Sequence, residues 1–278
     1  MFVRTVADVR AAGRERQISH GITTATRYLT KSDGLDFSLS CACKPAGRGS
    51  PQAWYKNHWE ANFIASGRGE LEELSTGRRW PLEPRTVYVV GPNDRHKVHA
   101  FEDLLIVSVF NPPLVGGETH DADGAYPPAG PLPPGLQDRR MFVRTVADVR
   151  AAGHERQISH GITTATRYLT KSDGLGFSLS TASKAAGQAA HQVWYKNHWE
   201  ANFIASGRGE LEDLSTSQRW PLEPRTVYVV GPDDRHKVHV FQDLLIVSVF
   251  NPPLIGDETH DADGAYPPTG PLPASPQA

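Results

Sequence analysis

Apolar residues in this chain come in short runs, many of them β-branched or aromatic, cut by Gly, Pro and Asp. Phe37-Ser38-Leu39-Ser40, Ala61-Asn62-Phe63-Ile64-Ala65, Thr86-Val87-Tyr88-Val89-Val90 and Leu104-Leu105-Ile106-Val107-Ser108-Val109-Phe110 are the clearest. Runs of this length and make-up, bounded by turn formers, predict strands. Many such strands at regular spacing predict an all-β sandwich or barrel. Only Val6-Ala7-Asp8-Val9-Arg10-Ala11-Ala12 has a helical pattern, with Thr5 placed to cap it.

The whole pattern occurs twice. Met1-Phe2-Val3-Arg4-Thr5 returns as Met141-Phe142-Val143-Arg144-Thr145, and the same 140-residue offset holds without a gap to Gly130 and Gly270. Of those 130 aligned positions 19 differ, which is far too few for a solenoid of small units and marks the tandem duplication of a whole domain. The expected organisation is one domain over 1–126, a Pro-rich linker over 127–140, a second domain over 141–266 and a Pro-rich tail over 267–278. Eight of the 19 differences fall at positions 41, 43, 45, 48, 49, 50, 51 and 53. A surface loop under relaxed constraint accounts for them; different substrate access in the two halves is the sharper alternative.

Composition narrows the function. The 278 residues carry a formal charge of -2 with the signs intermixed, so no basic stripe tracks a phosphate backbone and nucleic acid is not an expected partner. No apolar run reaches the roughly 18 residues of a membrane span. The start, MFVRTVADVRAAG, lacks the apolar core of a secretory signal, which predicts a cytoplasmic protein. Cys41 and Cys43 become Thr181 and Ser183 in the second copy, so a metal or redox pair is not needed in both halves. Small residues on one strand face are the simpler reading.

Glu60 is followed by six residues and then Gly67 and Gly69, while Pro84-Arg85-Thr86 and His96 come later. This resembles the two motifs of cupins, small jelly-roll barrels that hold a metal in the barrel mouth. The His-x-His usual ahead of the glutamate is absent, the segment reading Gln52-Ala53-Trp54-Tyr55-Lys56. Each half resembles one cupin family along its length, ectoine synthase. The resemblance is carried by the MFVRTVADV start, Thr26-Arg27-Tyr28-Leu29, Tyr55-Lys56-Asn57-His58-Trp59-Glu60-Ala61, Gly67-Arg68-Gly69-Glu70-Leu71-Glu72, Trp80-Pro81-Leu82-Glu83-Pro84, Asp94-Arg95-His96, Val109-Phe110-Asn111-Pro112-Pro113-Leu114, Glu118-Thr119-His120 and Asp123-Gly124-Ala125-Tyr126.

The resemblance implies a cyclising hydro-lyase with Fe(II), or zinc or another divalent ion, held by Glu60, Tyr88 and His96 and again by Glu200, Tyr228 and His236. One carboxylate, one phenolate and one imidazole suit Fe(II) and leave coordination positions open. Read without the family, Glu60 and His96 also fit exposed polar residues at strand ends, and Tyr88 a core aromatic. The implied reaction is attack of a substrate amine on its own acetamide carbonyl with loss of water. The resemblance gives Glu118 and His120, with Glu258 and His260, the acid and base roles. It gives Arg27, Tyr55, His58, Ser108 and Phe110, with Arg167, Tyr195, His198, Ser248 and Phe250, contact with a small amino-acid-derived substrate. Arg27 suits the substrate carboxylate because a guanidinium matches it bidentately.

The pattern departs from the family in both halves. Thr23 and Thr163 replace a tryptophan, Ala42 and Ala182 a threonine, and Ser108 and Ser248 a cysteine. These positions belong to the substrate, so an Fe(II) cyclase or dioxygenase of another small amine or amide is an alternative, as is a metal-free cupin binding module. Because the family forms two-fold dimers, fusion of two copies predicts an intramolecular pseudo-dimer of two tandem cupin barrels, monomeric as a chain.

Overall fold

The computed structural model describes residues 1–128, 130–131, 140–159 and 161–270. Positions 132–139 of the expected linker and 271–278 of the expected tail lie outside the described residues. The predicted helix runs Val6–Ala11, and the four predicted strands are realised as Ser38–Lys44, Trp59–Ser66, Val87–Val90 and Leu104–Asn111.

Two compact units divide the chain. One spans Ala7–Val146, and the other joins Met1–Val6 to the chain from Ala147. In the first, a seven-stranded sheet has the order Phe142–Arg144, Val87–Val90, Trp59–Ser66, Leu104–Asn111, Ser38–Lys44, Thr23–Leu29 and Glu15–Ile18. A three-stranded sheet of His96–Ala100, Gly69–Glu73 and Arg79–Leu82 shares its core, in which Leu71 and Leu82 meet Ile64, Tyr88, Val90 and Leu104. Alternation sorts the side chains. Along Ser38–Lys44, residues Ser40, Ala42 and Lys44 face the barrel interior, while the intervening Leu39 and Cys41 are fully buried on the other face.

The repeat and the compact units part company at the first strand. Phe2–Arg4 pairs antiparallel with Val227–Val230, and its repeat Phe142–Arg144 pairs with Val87–Val90. Each barrel therefore takes its edge strand from the start of the other copy. The identical sequences make the two pairings equivalent in local chemistry, so the register Phe2↔Val229 matches Phe142↔Val89.

The turn after Trp59–Ser66 needs glycine for two reasons. Gly67 has φ +83, and a Cβ there would lie 2.1 Å from the carbonyl oxygen of Asp103. In the second unit, Trp199–Asp213 and His236–Asn251 run as single long strands across the corresponding bend. Val240 and Gln242 stand there in place of Ala100 and Glu102, supplying a β-branched residue and removing the Arg68–Glu102 ion pair that braces the bend in the first copy.

Candidate active site

Each barrel encloses a cavity, and largely equivalent residues line the two. In the first, of about 90 Å³, the strand Trp59–Ser66 contributes Glu60 and Asn62 from its inward face. The neighbouring strands contribute Tyr88, directly opposite Asn62, and Ser108 and Phe110, opposite Asn62 and Glu60. His96 opens the three-stranded sheet beside them and is fixed by a bridge to Ala53. The cavity of the second barrel is smaller, about 50 Å³, and Val193 fills space left by Ala53 in the first.

Glu60, Tyr88 and His96 are buried, at 6%, 3% and 3% exposure, so none is an exposed strand-end residue. Burial pushes the Glu60 carboxyl up, opposed by polar contacts from Asn62, Tyr55 and Ser108. Tyr55 donates its hydroxyl to Glu60 Oε2 at 2.7 Å, and Tyr195 repeats this to Glu200 at 2.9 Å. The Tyr88 phenol is held well above its usual value by burial and then by the Glu60 charge. Burial brings the His96 imidazole down to about 4, and His236 matches it. The His96 Nδ1 lies 3.0 Å from the Asp94 carbonyl and must donate to it, so Nε2 keeps its lone pair.

His120 also lines the cavity, and the Tyr126 ring packs against it at a tilt of 51° with the centroids 4.3 Å apart. The backbone N–H of Ser19 donates to His120 Nδ1 at 3.3 Å, which places the proton of the neutral ring on Nε2. That nitrogen is buried with no protein partner among the described residues. Burial, followed by His96, His20 and Arg27, lowers the His120 pKa to about 4.

Two expectations meet a different geometry. Glu118 does not line the cavity: its carboxylate accepts the N–H groups of Val115 and Gly116, and Arg27 Nη1 lies 3.2 Å from Oε2. It is 4% exposed and fully engaged, which leaves it no room to exchange protons with a substrate. Glu258 repeats the arrangement, with Arg167 at 3.8 Å. His58 is likewise set behind the wall. Its Nδ1 sits 2.9 Å from the Pro112 carbonyl and its ring packs edge-on against Tyr55 and Phe110, as His198 does with Pro252, Tyr195 and Phe250.

Arg27 and Arg167 reach the cavity but are also committed. Arg27 Nη2 donates to the Glu118 carbonyl, and Arg167 donates to the carbonyls of Gly256 and Glu258. Tyr55, Ser108 and Phe110 line the cavity, as do Tyr195, Ser248 and Phe250, together with Glu200, Tyr228, His236 and His260.

Sequence reasoning passed over Asn62, Lys44 and Tyr126, and their counterparts Asn202, Lys184 and Tyr266, all of which line the cavities. Strand alternation carried a signal for Asn62, two residues from Glu60. Tyr126 arrives only through the parallel pairing of Ala125–Tyr126 with Trp54–Tyr55, which no local pattern announces.

These barrels, with polar groups converging on an enclosed apolar-walled cavity, define a cupin, and the chain carries two. The fold is similar to that of protein Ylba from E. coli, at a TM-score of 0.63 with 14% identity over 89% of each chain. It is equally similar to oxalate decarboxylase from Lactobacillus farciminis, at 0.63 with 13% identity over 92% of this chain and 87% of that one. The family model for ectoine synthase matches residues 1–130 and again 141–270, so the chain belongs to the ectoine synthase family, whose members are hydro-lyases. The L-ectoine synthase of Desulfatibacillum aliphaticivorans is 40% identical over 127 residues, 46% of this chain and 97% of that protein. Among the described residues, no helix is long and apolar enough to cross a membrane.

Proposed function

We propose that each barrel closes an N-acetyl-diaminobutyrate-type substrate into a cyclic amidine with loss of water, using a divalent metal held by Glu60, Tyr88 and His96 and by Glu200, Tyr228 and His236. The observation that carries this reading is the convergence of that trio and His120 on one cavity in a chain of this family. The donors fit a hard cation. A buried carboxylate, a buried phenol with no hydrogen bond of its own among the described residues, and an imidazole with its Nε2 lone pair free all gain by facing a positive charge. Bound there, the ion supplies Lewis-acid polarisation of the acetamide carbonyl.

The remaining work falls to the protein. The walls of Tyr55, Phe110 and Tyr126 exclude water and favour a folded substrate with its amine near its own carbonyl. The two substrate nitrogens together lose two hydrogens, and these leave with the carbonyl oxygen as water. Neutral His120 can donate a hydrogen bond from Nε2–H to the carbonyl oxygen as that oxygen gains charge, while the two hydrogens released by the substrate nitrogens supply the departing water, so no net proton is drawn from the protein. Arg27 and Glu118 act from behind: their pairing ties down the segment after Leu114 that carries His120. The test is incubation of Fe(II)-loaded protein with N-acetyl-2,4-diaminobutyrate isomers. A dehydrated cyclic product by mass spectrometry is expected; none, where a reference ectoine synthase gives product, refutes the reading.

A second reading, the same chemistry on a different small amine or amide, is favoured by Thr23, Ala42 and Ser108. All three line the cavity, and all three are departures from the family pattern.

A further inference from the structure

We propose that Lys44 in one barrel and Lys184 in the other receive the substrate carboxylate, the role that guanidinium geometry suggests for Arg27 and Arg167. The case begins with what the arginines have left. Arg27 is 1% exposed, with Nη1 on the Glu118 carboxylate and Nη2 on its carbonyl; Arg167 gives both terminal nitrogens to backbone carbonyls beside Glu258. Each guanidinium is thereby paired with its glutamate, and both of its terminal nitrogens already have acceptors.

Among the described residues lining each cavity, the remaining cation is the lysine at the end of the strand that also presents Ser40 and Ala42. A lysine at such an inward position is costly unless an anion meets it. Lys44 is 6% exposed, and its ammonium makes one hydrogen bond, to the Gly49 carbonyl at 3.2 Å, which leaves two N–H donors. Lys184 makes no hydrogen bond among the described residues and lies within electrostatic reach of Glu200 and His236. Beside each lysine, Ala42 or Ala182 is small enough to leave room for a carboxylate.

The loop after Lys44 carries six of the 19 differences between copies, and the two lysines differ in support: the Gly49 carbonyl holds Lys44, and the matching position in the other copy is Ala189.

The assignment takes its ligand from the ring-closure reading, so its test measures binding apart from turnover. The full chain is titrated calorimetrically with N-acetyl-2,4-diaminobutyrate and with its decarboxylated counterpart, N-acetyl-1,3-diaminopropane. A charge-assisted hydrogen bond sets the expected preference for the carboxylated ligand at about 10- to 100-fold. With Lys44→Met and Lys184→Met together the preference should fall below about threefold, and Lys→Arg at both positions should restore it. Circular dichroism checks the fold, and Lys→Gln at both positions supplies a second neutral variant. A preference that survives in the neutral variants, or a wild-type chain that does not distinguish the ligands, overturns the assignment. Lysine-dependent binding without any cyclic product would refute the ring-closure reading and leave the assignment standing.

Discussion

The cost of isolating a buried charge governs the residues around this cavity. Arg27 and Glu118 are buried at 1% and 2% side-chain exposure and 3.2 Å apart, and neither has water to fall back on. Removing one partner of such a pair typically costs about 3–5 kcal/mol. Arg27→Met should therefore destabilise the first barrel by about that amount in chemical denaturation, whereas Arg68→Met, at an exposed ion pair, should leave the denaturation midpoint nearly unchanged. The imidazoles give a pH signature. The folded pKa of His120 is about 4, below the 6.5 of an unconstrained ring, so the unfolded chain binds more protons between those values. Its contribution is complete above pH 6.5 and is lost as pH falls toward 4. Thermal melts of metal-free His120→Gln should show a shallower loss than wild type over that window, by at most about 1.4 kcal/mol per pH unit. An unchanged slope would mean that the ring is accessible to solvent when folded.

At the scale of elements, the exchanged edge strands separate the repeat from the folded unit. Deleting Met1–Arg4 removes three paired residues beside Val227–Val230 and leaves the partner of Val87–Val90 in place. Hydrogen exchange should then accelerate in Val227–Val230 and not in Val87–Val90. The reverse pattern would mean that each copy closes on its own first strand. The strands and the short helix were legible because period and punctuation are local properties: Ser38–Lys44 and Leu104–Asn111 carry their alternation in the sequence itself. The pairing of Phe2 with Val229 was not, because either copy of the same edge strand satisfies the same hydrogen bonds. Nothing in a strand of three residues distinguishes its two possible partners.

For the whole molecule, the duplication makes metal content a direct reading of both sites. Wild-type chain reconstituted with Fe(II) should hold two ions; Glu60→Ala should hold one, and Glu60→Ala with Glu200→Ala none, by elemental analysis, with the fold retained. Full loading of the double variant would refute the ligand trio. The sequence by itself determined the duplication, the all-β class and the family, because repetition, strand alternation and motif spacing are written along the chain; the glutamate, tyrosine and histidine were singled out only through that resemblance. Only the tertiary structure decided which polar groups are free to act. Arg27 and Glu118 lie 91 positions apart, and it takes their burial together to turn a candidate substrate anchor and a candidate acid into one closed ion pair. The same closure leaves Lys44 and Lys184 as the cations facing each cavity, for a buried charge is committed by the neighbours that desolvate it.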